Sequence, residues 1–176
     1  MIRARWVAVI VLAAAAGGCL MALKRGFHET VGATGAVVWT VPQPPASNFH
    51  ACRSLAAGEV ANSVGSVCPP AAVSAVRPAL TKAFASLGQE YPGGEPSLTV
   101  DVTVQWYKSS EVLGTLVSPE SWLIWLVKFR RSDGQALPDL VVVANSEAAR
   151  TSEADLVEAA AKALAECLRK LKQDRR

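Results

Sequence analysis

Residues 97–107 read SLTVDVTVQWY, in which Leu98, Val100, Val102, Val104 and Trp106 alternate with Thr99, Asp101, Thr103, Gln105 and Tyr107. Successive side chains of a β-strand point to opposite faces, so this period of two predicts a strand with one buried and one solvated side. A strand of that kind needs a covering layer on one side, and the rest of the chain has to supply it.

A second long strand is predicted at 121–131, SWLIWLVKFRR. Its odd positions Leu123, Trp125, Val127 and Phe129 stay apolar, while the even face passes from Trp122, Ile124 and Leu126 to Lys128 and Arg130. SDGQ then supplies an Asp-Gly turn, and LPDLVVVAN returns antiparallel, with Pro138 near its start where a missing donor is tolerated. Upstream, GAVVWTV at 35–41 has the β-branched and aromatic content of a strand and is halted by Pro42, Pro44 and Pro45. Residues 46–68 are ambiguous. The weak alternation and two glycines of LAAGEVANSVGSV fit an edge strand within a loop.

Two helices complete the pattern. From Pro69, the residues Val73, Val76, Leu80, Phe84 and Leu87 recur at spacings of three and four, ending at Gly88. Pro78 interrupts that stripe, and either kinks the helix or opens a helix that starts there. YPGGEP follows as a turn. Ser152-Glu153-Ala154-Asp155 has the form of a capping box. The helix after it runs to about Lys172, with an inner stripe of Val157, Ala160, Ala161, Leu164, Leu168 and Leu171 and with Cys167 at its margin. Acidic residues at its start and basic ones at its end suit the helix dipole and need no ligand. The expected fold is therefore a two-layer α+β domain: an antiparallel meander sheet with two helices packed on one face, in the order β-(β)-α-β-β-β-α.

The N-terminus has a different build. MIRAR is a short cationic segment, Trp6 to Ala16 an apolar stretch of secretory-signal length, and Gly17-Gly18 the small residues a peptidase needs before Cys19. This arrangement resembles the lipobox of bacterial lipoproteins, with Ala16 standing where leucine is commonest. The resemblance implies cleavage before Cys19, diacylglyceryl modification of its thiol and acylation of the freed amine. It also implies outer-membrane sorting, because Leu20 and not an aspartate follows the cysteine. Residues 1–18 are then a signal peptide, 19–34 a lipidated N-terminus and spacer, and 35–176 a single periplasmic domain. The alternative is an uncleaved helix from Trp6 to Leu23 that anchors the chain in the inner membrane. At 18 apolar residues it lies at the lower limit of a bilayer span. Each buried methylene contributes about 0.8 kcal/mol, so several acyl chains give lasting membrane attachment.

Charge and cysteines narrow the function classes. Removal of Arg3 and Arg5 with the leader lowers the formal charge from +3 to +1, which gives no electrostatic reason for nucleic acid. An oxidising compartment permits a Cys52–Cys68 disulfide, which would close a loop of about 15 residues; spacing alone leaves open whether the two pair. His50, Cys52 and Cys68, with only His28 besides, lack zinc-ligand spacing, so no metal and no cofactor is expected. No GxSxG, HExxH or phosphate-binding loop occurs, neither histidine adjoins a nucleophile, and Asp101 and Asp139 read as solvent-facing. The expectation is a protein that is not an enzyme.

One segment reads as functional. Residues 108–120, KSSEVLGTLVSPE, are long for a hairpin connection and carry Val112, Leu113, Leu116 and Val117. They either tuck over the sheet or, with Trp122 and Trp125 beside them, dock on a partner or touch lipid. Two function classes follow. The first is a non-catalytic binding or assembly subunit, lipid-anchored through Cys19 and serving an envelope protein complex through its sheet edge or loop. The second is a ligand-binding module with a pocket between helices and sheet, for which the alanine-rich final helix leaves little room. The element order and the strand–DG–strand–helix tail are similar to those of small bacterial envelope lipoproteins and of auxiliary lipoproteins of envelope transport systems.

Overall fold

In the computed structural model, which describes residues 32–40, 46–109, 120–147 and 151–174, the alternating segments form one five-stranded sheet. The elements are β1 (Thr34–Trp39), α1 (Ser47–His50), β2 (Ser54–Asn62), α2 (Pro70–Ala85), β3 (Ser97–Lys108), β4 (Ser121–Arg131), β5 (Leu140–Ser146) and α3 (Glu153–Gln173). Their order in the sheet is β1-β5-β4-β3-β2. Helices α2 and α3 pack on each other and on a single face of it, which gives the expected two-layer α+β architecture.

The central meander β3-β4-β5 is antiparallel, and β1 pairs antiparallel with β5 through an unbroken register from Thr34↔Asn145 to Trp39↔Leu140. The sheet as a whole is mixed and not purely antiparallel, because β2 pairs parallel with β3. Parallel neighbours need a crossover of a dozen or more residues. The stretch from Ser63 to Pro96, with α2 inside it, supplies that crossover. The ambiguous segment is thus an edge strand that completes a βαβ unit.

Each helix forms where its caps and stripe place it. Pro70 stands at the start of α2, where a missing N–H costs nothing, and Pro78 lies within the helix with its ring exposed. Ala72, Val76, Leu80 and Phe84 form its buried stripe, and Val73 is only half-buried. In α3 the capping box is complete: Ser152 Oγ accepts from Asp155 N–H, and the Asp155 carboxylate accepts from Ser152 N–H at 2.9 Å. Leu156, Leu164, Leu168 and Leu171 are fully buried beneath it, each worth about 1.5–3 kcal/mol relative to exposure. Alanines at 160, 161 and 165 bring the helix close to the sheet. At Gly35 the approach is tight, since a Cβ there would lie 2.5 Å from Ala159 O.

The sheet's inner face is fixed by alternation. Leu98, Val100, Val102 and Val104 of β3, Leu123, Trp125, Val127 and Phe129 of β4, and Leu140, Val142 and Ala144 of β5 are all buried. The pattern then breaks. Between Val104↔Trp125 and Trp106↔Ile124 the pairing slips by one residue, a β-bulge that turns Trp106 outward and Tyr107 inward.

Candidate docking surface

With both long helices on one face, the other face of the sheet has no helix over it among the described residues. The register assembles its side chains into rows. One row runs Val38, Val141, Leu126, Thr103, and the next runs Ala36, Val143, Ile124, Trp106. A third holds Thr34, Asn145, Trp122 and Lys108. Val38 and Trp106 are 57% and 55% exposed, large values for side chains of that size, while Trp122, Ile124, Leu126, Val141 and Val143 are half-buried by one another. An apolar band therefore crosses four strands. Towards the other end of the sheet the face becomes polar. There Asp101 accepts two hydrogen bonds from the Arg130 guanidinium and a third from Glu59 N–H at 2.7 Å. The Arg130 bonds hold its carboxyl below the usual aspartate range. Asp101 is thus a paired group and not a free solvent-facing one.

The residues read from the sequence as a docking patch divide. Trp122 lies half-buried on the uncovered face. Trp125 does not belong to it: three residues along the same strand, odd parity sends its ring to the inner face, where it is wholly buried. Cys19 and the residues Val112, Leu113, Leu116 and Val117 lie outside the described residues. Trp106 is the large exposed side chain that alternation misassigns, because a bulge leaves the local pattern of apolar and polar letters unchanged.

The cysteines do not pair. Cys52 and Cys68 are both free thiols and both buried. The nine residues of β2 lie between them, an extended strand roughly 30 Å long at about 3.3 Å per residue, whereas a disulfide needs Cα atoms within about 7 Å. Their surroundings agree: Cys52 sits by Lys172 at the end of α3, and Cys68 by Glu153 at its start. Burial raises both thiol pKa values, which disfavours the reactive thiolate. Cys167 stays at the margin of α3, half-buried, and is raised for the same reason.

Around Cys52 the polar groups are engaged in holding the fold together. Lys172 Nζ donates to His50 O at 3.0 Å and to Cys52 O at 2.6 Å, and lies 4.8 Å above the Tyr91 ring. His50 Nε2 donates to Leu171 O at 2.8 Å. Buried Arg131 donates to Asp133 and, at 2.6 Å, to Asn48 O. These bonds fasten α1 and the start of β2 to the end of α3 and the β4 turn. Among the described residues no three His, Cys, Asp or Glu side chains come together as a metal site.

The free edge of β1 forms a second feature. A groove of about 430 Å³ runs between this strand and α3, lined on one side by Gly35, Ala36, Val37 and Trp39 and on the other by Ala163, Glu166, Cys167, Lys170, Leu171 and Asp174. Between α3 and the sheet itself the packing is close, as the contact of Gly35 with Ala159 shows.

Among the described residues no helix is long and apolar enough to cross a membrane. No protein-family model matches the chain, and no curated protein matches it. Among solved structures it is similar to the PelC dodecamer from Paraburkholderia phytofirmans, at 15% identity and a TM-score of 0.45, over 81% of this chain and 100% of that one. It is also similar to a minor lipoprotein from Acinetobacter baumannii, at 16% identity and a TM-score of 0.39, over 70% of this chain and 94% of that one.

Proposed function

We propose that this chain is a lipid-anchored subunit of the bacterial cell envelope, moored through acylated Cys19 at the outer membrane and facing the periplasm. Its work is to bind or assemble a protein partner, and it carries out no catalysis. The observation that carries the reading is the apolar band on the sheet face that has no helix over it among the described residues, with Val38 and Trp106 more than half exposed. Soluble monomers keep such patches small unless something covers them. The Gly17-Gly18-Cys19 sequence supports the anchor. The absence of chemistry is supported by the burial of Cys52 and Cys68 and by the engagement of His50 with Leu171 O.

Two measurements test it. Intact mass of the membrane fraction should show a chain starting at Cys19 with fatty adducts, and Cys19→Ser should lack them. Recovery of the chain with its initiating methionine and no adduct would overturn the anchor. For the partner, a Trp106→Cys variant is labelled with a maleimide in envelopes and after purification. Labelling at least about tenfold slower in envelopes is expected where a partner covers the band. Equal rates would show that the face is bare in its native setting.

A further inference from the structure

The two edges of the sheet are built differently. Native edge strands are blunted by charges, prolines, bulges or a covering element, since unpaired backbone groups otherwise recruit another strand. At β2 these devices are present: the register slips between Ala57 and Val60, Glu59 interrupts the apolar run, and Arg77 Nη1 donates to Ala57 O at 3.5 Å. At β1 none is. TGAVVW has no charge and no proline, and its register with β5 is unbroken.

Backbone parity shows what the β1 edge offers. Thr40 N–H donates to Asp139 O at 3.3 Å, one step beyond the Trp39↔Leu140 pair. In an antiparallel ladder hydrogen-bonded pairs alternate, so the even residues Thr34, Ala36 and Val38 exchange bonds with β5. By that parity the N–H and C=O groups of Gly35, Val37 and Trp39 point away from β5, along the edge that borders the groove, and meet no partner among the described residues. Six residues of strand, with no such device among the described residues, thus border a groove whose other wall is α3.

We propose that this edge is a strand-addition site, which takes up one extended segment of a partner protein as a sixth strand beside β1. Hydrogen-bond complementarity names the occupant, because only another extended backbone satisfies alternating outward donors and acceptors. Residues of that segment facing α3 meet Val37, Cys167 and Leu171 and are small or apolar. Glu166, Lys170 and Asp174, on the α3 side of the groove, offer charges of both signs to the ends of such a segment. A second copy of this chain fits less well, since it would bring its own α3 to the same side of the seam, against Glu166 and Lys170. The proposal rests on the assembly-subunit reading only in its choice of a protein partner, and its test needs neither lipid nor the native complex.

The probe is a strand-forming peptide, KTVTVTVK with blocked ends, added to the full chain in detergent micelles and followed by amide hydrogen exchange. In the free protein Ala36 and Val38 should exchange slowly and Gly35, Val37 and Trp39 fast; saturating peptide should slow those three by about tenfold or more. Val37→Pro removes one outward N–H and leaves the β5 ladder intact, as proline is tolerated on the open side of an edge strand. It should weaken peptide binding at least tenfold with unchanged thermal stability. Ala36→Lys, which adds an edge charge and removes no hydrogen bond, should do the same if Val37→Pro disturbs the fold. Failure of the peptide to protect the three amides would overturn the proposal. So would protection of those amides that appears only as the chain dimerises, which would assign the edge to a second copy.

Discussion

An added methyl group at Gly58 would collide with Asp101 Oδ1 and lie 2.6 Å from Thr99 Cγ2. The carboxylate has nowhere to retreat, because Arg130 holds it from one side and Glu59 N–H from the other. Gly58→Ala should therefore destabilise by about 1–3 kcal/mol. Asp101→Ala in the same chain removes the obstacle, so the double variant should lose less than the sum of the two single losses, by about 0.5–3 kcal/mol. Urea unfolding of the four proteins measures this. Asp101 also sets an acid limb. Its folded pKa lies below the unfolded one, so its contribution is complete above the ordinary carboxylate range, near pH 4, and is lost as pH falls through the lowered value. In Asp101→Asn the decline of stability below about pH 4 should be shallower; an unchanged slope would show that the Arg130 pair contributes nothing to folding.

At the scale of elements, α3 is the part whose formation depends most visibly on its own sequence. Ser152→Ala leaves Asp155 N–H without its cap and should cost about 1 kcal/mol, a fall of roughly 2–8 °C in melting temperature. A loss below a few tenths would mean that packing of the leucine stripe alone sets the helix start. This helix was legible in the sequence to within a residue or so, because cap, stripe and terminal charges are all local signals. So was the β3-β4-β5 meander, whose alternation repeats in three successive segments. What was not legible is non-local. The parallel pairing of β2 depends on where the α2 crossover returns, which no periodicity encodes. The bulge at Gln105 depends on how β3 meets β4, so Trp106 read as buried and Tyr107 as exposed when the reverse holds. The Cys52–Cys68 loop looked short enough to close, but the intervening residues form an extended strand and hold the two thiols apart. In the candidate site, Trp122 was found by its place beside the long connection. Trp106 and the β1 edge needed the assembled sheet.

At the scale of the whole molecule, the sheet has one face that makes the core and one that carries no helix among the described residues, and Trp125 and Trp106 on the central hairpin separate these roles. Trp125 is wholly buried beneath the helices, with Nε1 lacking a hydrogen-bond partner among the described residues. Its stability contribution comes from packing, and Trp125→Ala should cost about 3–5 kcal/mol. Trp106 pairs with Ile124 one step along the same hairpin, yet its ring lies more than half in solvent. Trp106→Ala should cost less than about 1 kcal/mol, as exposed positions do. The two variants should also divide in binding. Loss of partner in envelopes is expected for Trp106→Ala at full stability, whereas Trp125→Ala should lose partner only in proportion to the fraction unfolded. Calorimetry and maleimide protection of Val38→Cys, on the same face but in β1, measure both quantities in each background. If Trp106→Ala proved as destabilising as Trp125→Ala, the outer face would be structural, and the partner would have to be sought at the β1 edge alone.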